Sequence, residues 1–154
     1  MIPFYRKLFE YDNWANGEIA SQLASIEPTD EQLKKHLVHI LASQFVWLNR
    51  LEWKSQSSPE TWPEWSLQEC QTRMENLRDR WQEILQSLNL PALYSKFRYQ
   101  NSEGTVFETP IQDILIHAIT HSSYQRSQIA KQVRQMDISP VNTDYITYIR
   151  IVDQ

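Results

Sequence analysis

Between residues 67 and 88 apolar side chains return every three or four positions: Leu67, Cys70, Met74, Leu77, Trp81, Ile84, Leu85 and Leu88. An α-helix, turning once in about 3.6 residues, gathers that spacing onto one face. A face of this kind must be buried, so the chain has to supply partners with the same period. It does so three more times. Phe4, Leu8, Tyr11, Ala15, Ile19, Gln22 and Leu23 predict a helix from about Pro3 to Ser25, with Pro3 suited to a first turn. Leu33, Leu37, Ile40, Leu41, Gln44, Leu48 and Leu51 predict a second, which from Val38 onward is apolar over more of its circumference and so should meet more than one neighbour. The last long helix carries Ile111, Leu115, Ala118, Ile119, Ser122, Ile129, Val133 and Met136. Only two of the 154 residues are glycine, which leaves such runs intact.

The breaks between these runs are equally legible. Glu27-Pro28 ends the first helix, and a capping box from Thr29 to Gln32 opens the second. A loop from Ser55 to Trp65, holding Trp62 and Pro63, leads to a second capping box, Ser66 to Glu69. Asn89-Leu90-Pro91 closes the third helix. Residues 93 to 108 read as a short hairpin or extended crossover, with Phe97, Tyr99, Val106 and Phe107 around a polar turn at Asn101–Gly104. Thr109, Pro110 and Gln112 read as a third capping box. The tail beyond Pro140 carries Tyr145, Ile146, Tyr148, Ile149 and Ile151 and should pack as a short helix. The expectation is one all-α domain over residues 1–154, a four-helix bundle.

A formal charge of -4 and a pI near 5.5 argue against a phosphate-binding surface, so no nucleic-acid partner is expected. No apolar run approaches a membrane span, and neither a signal peptide nor a membrane partner is expected. The lone cysteine, Cys70, excludes an internal disulfide and fits a reducing, cytoplasmic setting. It lies on the apolar face of its helix and reads as buried and inert.

Chemistry concentrates on the last long helix. His117, His121 and Gln125 recur every four residues and so stack along one edge of its buried stripe, continued by Gln128 and Gln132. Two neutral imidazoles at that spacing can chelate one ion, and a third ligand from another helix would leave positions open for water or substrate. The same pattern also describes a half-wet amphipathic edge. On the second helix His36 flanks the main stripe while His39 lies on another face, and periodicity does not choose between them. Arg126 reads as a surface ion pair.

Three stretches then carry a resemblance. The first helix holds Tyr11, Asp12, Asn13, Trp14, Ala15 and Asn16 in succession. The second has His39 followed eight residues later by Trp47. The last has His117 and His121 followed by Tyr124-Gln125-Arg126-Ser127-Gln128-Ile129. Together with the ending Pro140, Thr143, Asp144, Tyr145 and Ile146, this resembles the DinB/YfiT-like superfamily of small metal-binding helical bundles across nearly the whole chain. The resemblance implies an up-down-down-up four-helix bundle, a homodimer, and a divalent metal, Zn, Ni, Mn or Fe, held by His39, His121 and the residue at 125. The chain departs from the pattern where Gln125 replaces a histidine and Ser127 a glycine. An amide oxygen is a weaker donor for Zn or Ni than imidazole. Three outcomes stay open: Gln125 ligates through its oxygen, His117 replaces it, or the site is vestigial and held by Gln–His hydrogen bonds. Some relatives activate a small thiol at the metal, which implies a metal-dependent thiol transferase or isomerase, with Arg126 or Gln128 orienting a co-substrate. The competing expectation is a non-catalytic dimeric bundle with a degenerate site serving a ligand or partner.

Overall fold

The computed structural model describes residues 1–26, 30–52 and 60–153. Among the described residues, six helices and one two-stranded sheet follow in the order α1 (Ile2–Ala24), α2 (Glu31–Leu51), α3 (Leu67–Ser87), α4 (Leu90–Tyr94), β1 (Lys96–Gln100), β2 (Val106–Pro110), α5 (Ile111–Gln135) and α6 (Tyr145–Val152). The protein is therefore mostly helical. α1 packs on α3 and α5, and α2 packs on α5 and α3, with a lesser contact between α1 and α2. Leu33, Leu37, Ile40 and Leu48 of α2 are fully buried, and they meet Ile19 and Leu23 of α1, Leu85 of α3, and Leu115 and Ile129 of α5 in one core. Each such side chain is worth about 1.5–3 kcal/mol of transfer free energy. α2 touches three long helices, which is why its apolar arc widens after Val38.

Of the three expected capping boxes, the one at Ser66 forms as read. The Ser66 hydroxyl accepts from the Glu69 N–H while the Glu69 carboxylate accepts from the Ser66 N–H, a complete capping box. Thr29 lies outside the described residues, as do positions 55–59 of the expected Trp/Pro loop. The cap on α2 is Asp30, whose carboxylate accepts from Gln32 and Leu33 N–H groups at 2.7 and 3.3 Å. The expected capping box at Thr109 does not form. Thr109 is committed to β2 opposite Phe97, and its hydroxyl lies 3.3 Å from Tyr99 Oη. Pro110 occupies the N-cap without a side-chain bond, and the Ile111 N–H donates instead to the Ser95 carbonyl at 3.1 Å.

Three further details concern the helix ends, two of them corrections. Asn89 does more than close α3: its side chain accepts from the Ala92 N–H and caps the short α4. Phe4 is 57% exposed, because the buried line of α1 runs through Tyr5 and Phe9. Met136 is also exposed, since it forms the C-cap of α5, just before Asp137 turns the chain left-handed at φ 58°.

The expected hairpin is present. β1 and β2 pair antiparallel from Lys96↔Pro110 to Gln100↔Val106. At its tip the Asn101 carboxamide accepts from the Glu103 and Thr105 N–H groups, and Gly104 sits at φ 81°, where a side chain would be strained. The buried Phe97 anchors the stem. α6 lies against α1, burying Tyr148 beside Tyr11 and Ala15 while Ile146, Ile151 and Val152 stay exposed.

Candidate metal centre and the buried arginine beside it

α2 and α5 run along one another, and their histidine-bearing edges meet. His39 Nε2 and His121 Nε2 lie 3.2 Å apart. The other nitrogen of His39, Nδ1, is 2.7 Å from the Thr61 carbonyl, which can only accept, so neutral His39 carries its proton on Nδ1. Its Nε2 lone pair is thereby aimed at His121, which supplies the proton between them. Trp62 lies flat on His39, with ring centroids 3.8 Å apart and planes at 5°. Thus the segment after the second helix fixes both the tautomer and the plane of this ring.

Burial lowers the pKa of His39; the Thr61 bond opposes this and the charge of His36 adds to it. Burial lowers His121 as well, reinforced by His39 and His117. The pair is accordingly held neutral, the state in which imidazole is a ligand. Two nitrogens bound to one tetrahedral ion would lie roughly 3.3 Å apart for ligand distances of 2.0–2.1 Å. The His39–His121 spacing fits that requirement.

Gln125 does not join this pair. Its Oε1 accepts from His36 Nδ1 at 2.8 Å, one turn along the seam, and the far side of His36 accepts from Gln132 Nε2 at 3.1 Å. His36 is therefore the partner of Gln125, and His39 the partner of His121. Both α2 histidines face α5, so the two faces that periodicity separated converge on one neighbour. His117 is exposed, its ring 5.6 Å from that of His121 and 5.6 Å from that of Trp47. Partial desolvation of its ring lowers its pKa too, although the residue as a whole is exposed. Among the described residues, no group of three His, Cys, Asp or Glu side chains could hold a metal ion.

Arg126 reverses its expected role. It is 3% exposed, and its Nη1 donates to Asp12 Oδ1 at 2.7 Å and to Asn16 Oδ1 at 2.8 Å. Its Nη2 donates to Tyr11 Oη and Ser123 Oγ. The second oxygen of Asp12 accepts from Asn16 Nδ2 and, at 2.6 Å, from Gln44 Nε2. Gln44 also donates to Ser122 Oγ and accepts from Trp81 Nε1 at 2.8 Å. Burial alone would lower the Arg126 pKa, but the charge of Asp12 and its hydrogen bond outweigh it, and the net shift is upward. One knot thus ties α1, α2, α3 and α5 together.

This knot was missed because a polar residue at the edge of a stripe reads as solvated. A signal was there: Tyr5, Phe9, Asp12, Asn16, Ile19 and Leu23 alternate spacings of four and three, so Asp12 and Asn16 occupy core positions of α1. Gln44 and Ser122 were already in their stripes. Cys70 is buried as expected, and burial pushes its thiol up to about 11, the opposite of an activated nucleophile.

The molecule is a predominantly helical protein with a paired-imidazole seam and a buried Asp–Arg knot spanning its long helices. The chain belongs to the DinB family, which matches it over residues 1–153. It is also similar to Protein DinB of Bacillus subtilis (strain 168), 26% identical over 164 aligned residues that cover 97% of this chain and 95% of that relative.

Proposed function

We propose that this DinB-family chain binds a divalent metal ion, weakly, through His39 and His121 with Gln125 as a third, oxygen ligand. The observation that carries this reading is the 3.2 Å approach of two neutral Nε2 atoms, one of them aimed by the Thr61 carbonyl. Gln125 sits one turn beyond His121 on the same helix and would exchange His36 for the ion. The reading includes an up-down-down-up four-helix bundle, a homodimer and a cytoplasmic setting. No described helix is long and apolar enough to cross a membrane. When bound, the ion would stabilise a thiolate, giving the chemistry of a small-molecule thiol transferase or isomerase. What the chain itself contributes is a neutral imidazole pair and a fixed His39 ring under Trp62.

The bond from His36 to Gln125 favours a second reading, a degenerate site in a non-catalytic bundle that serves a ligand or partner. Metal analysis of untagged protein, followed by calorimetric Zn2+ titration of the parent and Gln125→His, separates the two. The first predicts one ion per chain, lost in His39→Ala or His121→Ala, and at least about tenfold tighter binding in Gln125→His, since imidazole replaces amide oxygen. Failure of both proteins to bind would leave the second.

A further inference from the structure

Away from the histidine seam, α1 and α3 part around a cleft with a volume of about 210 Å3. That exceeds the ~150 Å3 of an apolar cavity able to take up benzene. Its walls are apolar and buried: Phe9, Leu41, Leu77, Trp81 and Leu85. Phe9 and Trp81 hold one another in place, with ring centroids 4.4 Å apart. The floor is the outer side of the knot, formed by Asp12, Asn16 and Gln44.

The floor decides against a cationic occupant. Both oxygens of Asp12 are taken, one by Arg126 and the other by Asn16 and Gln44, so the floor has no free carboxylate to meet an amine. Asn16 Nδ2 gives one hydrogen to Asp12 and has a second to spare, so the floor offers a donor. The mouth carries Arg6, Arg78 and a single acid, Glu10. Arg78 gives Nε to Asp79 at 3.0 Å and keeps both terminal nitrogens. A guanidinium fork is suited to a carboxylate.

We propose that the α1–α3 cleft is a binding site for a small aromatic or branched aliphatic monocarboxylate, its apolar end against Phe9 and Trp81 and its carboxylate at Arg6 and Arg78. The occupant would make dispersion contacts with Phe9, Trp81 and the leucines of the walls. This site needs no metal and stands whether or not the histidine pair binds one.

The test is a heteronuclear NMR titration of the intact chain with 3-phenylpropionate and, separately, with 3-phenylpropionamide. Expected are shifts of the Trp81 indole N–H and the Leu77 and Leu85 methyls. The acid should bind about fivefold more tightly than the amide, the worth of one exposed ion pair. The exposed double substitution Arg6→Gln/Arg78→Gln should reduce the acid to the level of the amide and leave the amide unchanged. Met74→Trp, which fills the cleft from its half-buried rim, should abolish both. Equal binding of acid and amide, no shifts at millimolar ligand, or shifts centred on His39 and His121 would each overturn the proposal. The arginine pair decides the matter if Met74→Trp does not fold.

Discussion

Two polar clusters lie side by side on α5, and they handle their hydrogen bonds in opposite ways. Around Arg126 the guanidinium meets a carboxylate, an amide, a phenol and a hydroxyl, and the charge is neutralised within the knot. Along the seam His36, His39 and His121 are half-buried, Gln125 is buried, and the lone pair of His39 is aimed at another ring nitrogen. A buried polar group is tolerable when every donor and acceptor is used, and such a cluster then specifies how helices register. A cluster of neutral imidazoles is held less firmly, and its lone pairs become ligands once the shared proton moves to the far nitrogen of His121. The first arrangement suits architecture and the second suits chemistry.

Breaking the knot should have the largest effect. Asp12→Ala leaves Arg126 buried without its counter-charge and should cost about 3–5 kcal/mol in urea unfolding at neutral pH. Gln44→Leu strips partners from Trp81 and Ser122 but leaves the ion pair, so a smaller loss of about 1–3 kcal/mol is expected from the same measurement.

Acid should sharpen the contrast. The folded-state pKa values of His39, His117 and His121 lie below the ordinary imidazole value of 6.5. The unfolded chain therefore binds more protons in the interval between, and stability rises with pH across it. Stability should be complete above about pH 6.5 and fall as the pH drops below that value towards the lowered ones. The smallest effect is expected for His121→Ala at pH 8, under about 1 kcal/mol, because the ring is only half-buried. That variant should nevertheless flatten part of the acid slope in melting temperature. A large loss at pH 8 would place the histidine seam among the structural elements and erase the distinction.

Much of the scaffold was legible because periodicity is a direct image of burial. The stripe from Leu67 to Leu88 is α3, the Ser66 box starts it, and the paired strands lie where Phe97, Tyr99 and Phe107 alternate around a polar turn. The failure at Thr109 has a physical cause: a residue can cap a helix or extend a strand, and pairing with Phe97 won. At the seam, periodicity found all four histidines and Gln125 but did not choose between His36 and His39; the family resemblance set His39 beside His121, and Gln125, expected with them, bonds His36 instead. Which α2 histidine meets which α5 residue depends on how far two helices slide past each other, and no single helix encodes that. Arg126 escaped because Asp12, Asn16 and Tyr11, which bury it, lie more than a hundred residues away on α1.

The hairpin has a consequence for how the chain tolerates change. Lys96 faces Pro110, and the Ser95 carbonyl holds the Ile111 N–H, so the backbone leaves and re-enters the helical body at one place. Everything beyond that clasp is a detour. Length added at its tip, between Asn101 and Thr105, is absorbed where it is inserted and is not passed to α5, whose start is already pinned. The phase of α5, and with it the facing of His121 towards His39, is thereby insulated from whatever evolution or an engineer appends to the turn. A tag or a whole inserted domain belongs there.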